Sequence, residues 1–227
     1  MSRLYIVATP IGNLSDISFR AIEVLKSVDF VFCEDTRVTK NLLNHYNINT
    51  KLESYHKFSD KSKENRIIEL LKKGKSIAYV SDAGTPGISD PGEELVKVVS
   101  ESFDENIIES IPGASSLITV LAISGFNCDK FNFLGFLPHK KGKETLLKEI
   151  INSDVTNIFF ESTHRIIKSL EKLQSLGFQE NRNVVVAREL TKKFETIYRG
   201  TLEKILGDLK RGVSRGEFVV IIDRRSK

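Results

Sequence analysis

The chain has 227 residues, with 34 Lys and Arg against 30 Asp and Glu, a formal charge of +4. An apolar content of 40% with 28% charged residues is that of an ordinary globular protein and excludes disorder and fibre. Two cysteines, Cys33 and Cys128, build neither a disulfide framework nor a structural zinc site, so a reducing, cytoplasmic setting is expected.

The first run, LYIVAT from Leu4 to Thr9, predicts a strand and is too brief for a signal-peptide core. After a Pro-Ile-Gly-Asn turn, Phe19, Ile22, Leu25 and Val28 recur about once per helical turn, predicting a helix from Ser18 to Val28. A strand over Asp29 to Cys33 and a helix over Thr36 to Tyr46 come next, then a helix over Lys61 to Lys73 that stops at Gly74. A strand over Ser76 to Ser81, a helix over Gly92 to Ser100 and a strand over Asn106 to Ile111 complete the first half. Continuous apolar strands separated by helices describe a parallel sheet covered on both faces.

Pro112-Gly113 breaks the alternation. Beyond it the pattern predicts helices over Ala114 to Ser124, Glu144 to Ile151, His164 to Leu176 and Leu202 to Leu209. Strands are predicted at FNFLGF, NIFFES, Asn183 to Arg188, Phe194 to Gly200 and Glu217 to Asp223. Two α/β domains, residues 1–112 and 113–227, fit the length. The most apolar stretch, LITVLAISGF, is too short and too interrupted to span a bilayer, so no membrane partner is expected.

Several familiar sites are missing. No GxGxxG follows a strand, the Walker-like Gly74-Lys75-Ser76 has Glu69 where the first glycine belongs, and neither GxSxG nor HExxH occurs. What stands out is SDAGTPGISDPG, Ser81 to Gly92, where a buried strand ends. Three glycines, two prolines and two aspartates in twelve residues make a stiff loop whose backbone a ligand can approach closely. Thr9-Pro-Ile-Gly-Asn13 and Ile111-Pro-Gly-Ala-Ser-Ser116 follow two other strands, and parallel order puts all three loops at one sheet edge, the usual ligand crevice.

Further polar groups also end strands. Glu34 and Asp35 follow the second strand, with Arg37 and Lys40 behind them on a helix. That arrangement suits catalysis, RNA backbone binding, or a helix cap with an ion pair. ESTHR (Glu161 to Arg165) and ARELTKK (Ala187 to Lys193) place His164, Arg165, Arg188, Lys192 and Lys193 where they could meet phosphate or form a solvated charged face. The run His139-Lys-Lys-Gly-Lys143 is a second candidate phosphate contact or an exposed loop. From Lys192 to Lys227 there are ten basic and five acidic residues, a local +5 larger than the total.

Taken in order, LYIVATPIGNLSDIS, FCEDTRVTKNLL, YVSDAGTPGISDPG, IPGASS, FLGFLP, FFESTHRI and VARELTKKFE resemble the ribosomal RNA small subunit methyltransferase I group of the tetrapyrrole methylase superfamily. The resemblance runs from about residue 3 to 223. It implies the two-domain α/β class III methyltransferase fold with the cofactor cleft between the domains. It implies S-adenosylmethionine-dependent 2′-O-ribose methylation of a cytidine in the decoding region of 16S rRNA, on the 30S subunit, by a homodimer. The sequence itself carries no sign of a metal site, and none is expected. By the resemblance, the cofactor-binding positions are Pro10, Asp82, Ala83, Gly84, Thr85, Ala114, Ser115, Ser116, Phe160 and Glu161, with Ala187, Arg188, Phe218 and Val219 near the adenosine. Asp82 suits a cationic or hydroxyl-bearing part of the cofactor, and it equally suits a turn cap.

A ribose hydroxyl needs a base to take its proton; Glu34 and Asp35 are the first candidates for that catalytic role, and His56, Glu161 and Glu189 are others. The residue types leave that choice open. Arg37, Lys40, His164, Arg165, Lys192 and Lys193 are the candidate RNA contacts. Members of the group often continue past the segment matching Gly216 to Asp223, and any RNA contact made by such an extension lies outside this sequence. Two other readings stay open: methylation of a tetrapyrrole or other small metabolite on the same fold, and a non-catalytic ribosome-binding factor.

Overall fold

The computed structural model describes residues 2–56, 61–212 and 215–225. Contacts divide the chain into two compact units, Met1–Ser115 and Ser116–Lys227, each described by itself; the expected boundary was at 112/113.

In the first unit, the strands β1 (Leu4–Val7), β2 (Phe30–Cys33), β3 (Lys51–Ser54), β4 (Ile77–Val80) and β5 (Ile108–Ile111) form one parallel sheet in the order β3-β2-β4-β1-β5. Between them run α1 (Phe19–Ser27), α2 (Thr36–His45), α3 (Lys61–Lys72) and α4 (Gly92–Ser102). Alternation along the strands makes two cores. Val7, Val31, Cys33, Ala78 and Val80 pack with Ala21, Leu25 and Leu43, whereas Leu4, Phe32, Ile77 and Tyr79 pack with Ile67, Leu71, Leu95 and Val99. Side-chain caps start two helices: Ser18 Oγ accepts from Ala21 N–H at 3.1 Å, and Asp35 Oδ1 accepts from Arg37 N–H at 2.8 Å. β3 was not predicted, because Lys-Leu-Glu-Ser offers a single apolar residue and lies at the sheet edge.

The second unit holds α5 (Ser116–Ser124), β6 (Phe131–Phe136), α6 (Lys143–Asn152), β7 (Thr156–Ser162), α7 (Ile166–Ser175), β8 (Asn183–Arg188), β9 (Thr196–Thr201), α8 (Leu202–Arg211) and β10 (Glu217–Ile222). Its sheet order is β6-β7-β10-β8-β9, with β6 parallel to β7 and the other pairs antiparallel. The last strand in sequence is therefore the central one, and five of its six residues are buried. Helices α6, α7 and α8 cover one face through Leu147, Leu170, Leu206 and their neighbours. Arg182, 3% exposed, fastens the ends of elements by donating to the carbonyls of Ile150 (3.0 Å), Ile151 (2.9 Å) and Asp223. The expected strand Phe194 to Gly200 instead begins at Thr196, since Phe194 and Glu195 belong to the preceding loop.

Candidate functional site

Parallel order brings the loops after β1, β4 and β5 side by side at the carboxyl edge of the first sheet. Thr9 and Gly84 exchange both backbone hydrogen bonds, at 2.9 and 3.1 Å, and Thr85 Oγ1 donates to Ala114 O at 3.2 Å. Gly84 sits at φ +84°, and a Cβ there would lie 3.3 Å from Ile11 Cγ2; one on Gly113 would lie 3.1 Å from Ala8 Cβ. Glycine at both positions lets these three loops close on one another without displacing Ile11 or Ala8. Asp90 Oδ1 accepts from Gly87 N–H and Gly92 N–H, both at 2.8 Å, and so fixes the far end of the Ser81–Gly92 loop. Pro10, Asp82, Ala83, Gly84, Thr85, Ala114 and Ser115 are thus brought together within the first unit, whereas Ser116 opens α5 in the second.

A fourth loop joins this edge. Asp82 Oδ1 accepts from Asp35 N–H at 2.9 Å, tying the end of β4 to the end of β2. The two adjacent acids that end β2 then divide. Asp35 caps α2 and takes a bidentate ion pair from Arg37 (2.6 Å), and these hydrogen bonds pull its carboxyl down to about 2. Glu34, half-buried, has its carboxyl raised by burial and by the carboxylates of Asp82 and Asp90, with His56 opposing them. Asp82 is raised in turn by burial, against the hydrogen bond from Asp35 N–H that lowers it, with the Asp35 carboxylate adding a smaller upward push. A carboxylate held down by an arginine is a weak base; one pushed up by burial is a stronger one. Arg37 is committed to Asp35, whereas Lys40 and His56 are exposed.

In the second unit, register places Phe160, Val219 and Ala187 opposite one another across β7, β10 and β8. Phe160 stacks edge-to-face with Phe133 (5.0 Å between centroids) and Phe136 (5.4 Å) on that face. Phe218 and Glu161, one residue out of phase, turn to the other face, and both are 1% exposed. Phe218 belongs to the core beneath α6, α7 and α8, so its side chain cannot share a surface with Val219.

Glu161 is the centre of a buried network. Its Oε1 accepts from Ser162 N–H (2.9 Å) and pairs with Arg165 Nε (3.2 Å); its Oε2 accepts from Ser169 Oγ (2.6 Å), which accepts from Lys143 Nζ (2.7 Å). Arg165 also donates to the carbonyls of Leu137 and Pro138. Glu161 and Arg165 are therefore occupied in holding the 137–143 loop to β7 and α7. Glu189 is engaged as well: burial would raise its carboxyl, but hydrogen bonds from Glu217 N–H and Lys192 bring it below its ordinary value. Lys192 bridges Glu189 (3.2 Å) and Glu217 (2.7 Å), and Arg188 donates to Arg215 O and Phe194 O. His164 and Lys193 are exposed.

Sequence reasoning singled out Lys143 only as part of a basic run and missed Thr9, Ser169 and the stapling role of Asp90. The Asp-Pro-Gly turn signal marked Asp90, but nothing local couples Ser169 to a glutamate eight positions earlier. Among the described residues no group of His, Cys, Asp and Glu is arranged to hold a metal ion, and no helix is long and apolar enough to cross a membrane.

The model of the family described as Tetrapyrrole (Corrin/Porphyrin) Methylases matches residues 3–206. The chain is 46% identical over 222 residues to the ribosomal RNA small subunit methyltransferase I of Mycoplasmopsis pulmonis, covering 97% of each. It is 44% identical to the protein of that name from Bacillus subtilis, covering 98% of this chain and 75% of that one. Among solved structures it resembles diphthine synthase (TM-score 0.76, 16% identity, 99% of this chain and 91% of that one). It also resembles a cobalt-precorrin-4 methyltransferase of cobalamin biosynthesis (TM-score 0.68, 19% identity, 97% and 94%). At such identities the structures speak for the fold alone, which is that of the class III, tetrapyrrole methylase-like methyltransferases.

Proposed function

Because the chain belongs to the tetrapyrrole methylase family, and within it to the ribosomal RNA small subunit methyltransferase I family, we propose that it methylates small-subunit ribosomal RNA with S-adenosylmethionine. The observation that carries this reading is the 46% identity over 97% of both chains with a relative of that name. In its finer form the target is a cytidine 2′-oxygen in the decoding region, the substrate is the assembled 30S particle, and the enzyme works in the cytoplasm as a homodimer. Tetrapyrrole methylation draws on the family's name and on a structure only 19% identical, a weaker warrant than 44–46% sequence identity.

The residues suit this cofactor. The acidic edge formed by Glu34 and Asp82 favours a molecule carrying a sulfonium and an ammonium. Bound S-adenosylmethionine supplies an activated methyl group. Asp82, with the main chain of Ala83, Gly84, Thr85 and Ala114, would hold and orient it. Methyl transfer to a ribose oxygen is an in-line displacement, so orientation is the larger part of the protein's task. Glu34 is the general base: its carboxylate accepts the 2′-hydroxyl proton as the oxygen is alkylated. Asp35 keeps the helix start and Asp82 in place.

Purified protein incubated with methyl-labelled S-adenosylmethionine and 30S particles should give labelled RNA, with the label on a cytidine 2′-oxygen and naked RNA a poorer substrate. No labelled RNA would overturn the reading, and preferential labelling of a porphyrinogen in competition would replace it. Calorimetry with S-adenosylmethionine separates an enzyme from a non-catalytic ribosome-binding factor. Asp82→Ala should abolish that binding.

A further inference from the structure

The loop between β8 and β9 is held in a conformation that its sequence resists. Glu189 (φ +51°) and Thr191 (φ +65°) both lie in the left-handed region, which is unfavourable for any side chain and most so for β-branched threonine. The hydroxyl of Thr191 is also buried without a hydrogen-bond partner. Strain persists only where the surroundings over-determine the backbone, and here they do. Glu189 exchanges hydrogen bonds with the backbone of Glu217 at 3.0 and 2.9 Å, Thr191 N–H donates to Glu195 at 2.6 Å, and Lys192 spans Glu189 and Glu217. A Cβ on Gly216 would lie 2.6 Å from the Glu189 side chain, so only glycine admits this packing.

What this fixed loop holds out is a phenylalanine. Arg188 pins the Phe194 carbonyl at 3.2 Å, while Phe194 is 65% exposed and its ring carries the Lys193 ammonium 5.6 Å from its centroid. Phe19 is more exposed, but among the described residues no cation lies over its ring. An aromatic face presented by a rigid loop, with a cation beside it, is the chemistry that binds an unpaired nucleobase and its phosphate: the ring stacks on the base and the ammonium meets the backbone. Resting on the reading of the chain as an RNA methyltransferase, we infer that Phe194 is a stacking platform for an unpaired base of the substrate RNA, and that Lys193 contacts the adjoining phosphate.

The test compares wild type, Phe194→Ala, Phe194→Leu, Phe194→Trp and Lys193→Ala in the methylation of 30S particles. Phe194→Ala and Phe194→Leu should raise KM for 30S about 5- to 150-fold, with KM for S-adenosylmethionine and the unfolding midpoint unchanged; Phe194→Trp should behave like wild type. The salt dependence of 30S binding should keep its slope in Phe194→Ala and lose about one unit in Lys193→Ala. Unchanged KM in Phe194→Ala, or wild-type behaviour of Phe194→Leu, would overturn stacking. A changed sedimentation coefficient of Phe194→Ala would make the residue a subunit contact instead. Failure of wild type itself to methylate RNA would remove the parent reading, a result distinct from all of these.

Discussion

Glu34 and Asp35 are neighbours in sequence with opposite electrostatics. Burial and two facing carboxylates raise the Glu34 carboxyl, while Arg37 and the start of α2 lower that of Asp35. For Glu34 the folded value lies above the unfolded one, so its contribution to stability is greatest at low pH and is lost as pH rises through the folded value. Activity runs the other way, because a base must be ionised, and the rate should climb over the same interval. Glu34→Gln is expected to lower kcat about 10²- to 10⁴-fold and to remove that rising limb, read from the pH profile of 30S methylation. Asp35 has the reverse sign: what it adds to stability is present above its ordinary value and disappears as pH falls toward 2, which an acid titration of Asp35→Asn against wild type should reveal as a smaller loss.

At the scale of elements, the motifs that look like ligands in sequence include several that build the scaffold. Glu161 and Arg165 end β7 and begin α7, and their pairing, with Ser169 and Lys143, attaches the basic 137–143 loop to the sheet. Removing the arginine leaves a buried carboxylate without its cation. Arg165→Ala should therefore destabilise the protein by about 3–5 kcal/mol, measured by denaturant unfolding, before any effect on RNA binding is read. The alternation of strand and helix, and the three Gly/Pro loops at one edge, were legible because periodicity and turn chemistry are local. β3 was not, since an edge strand needs no apolar pattern. The Asp82–Asp35 link spans 47 positions, so it had no local signature. The left-handed turn that moves Phe194 out of β9 was hidden because its residues, glutamate and threonine, are not the ones that announce such backbones.

For the whole molecule, a net charge of +4 understates what an RNA would meet. Of the basic residues at strand ends, Arg165 and Lys192 are spent on internal partners and Arg37 on Asp35, whereas Lys40, His164 and Lys193 face solvent. The dependence of 30S affinity on salt should sort them. Lys40→Ala is expected to reduce the log–log slope by about one with folding intact, while Arg37→Ala should act first through the cap of α2 and leave the slope nearly unchanged.

The position of β10 carries a consequence for how the chain is made. Its partner β7 lies far upstream, with Glu161 pairing to Phe218 across the full length of α7, β8, β9 and α8. As the nascent chain leaves the ribosome, the first sheet has all its strands by Ile111, but β7 and β8 emerge with their facing edges bare and stay so until Glu217–Ile222 follows. Those two unpaired apolar edges are the segment of synthesis most open to wrong pairing. A stop codon before Glu217 would remove the centre of the second sheet instead of trimming its rim.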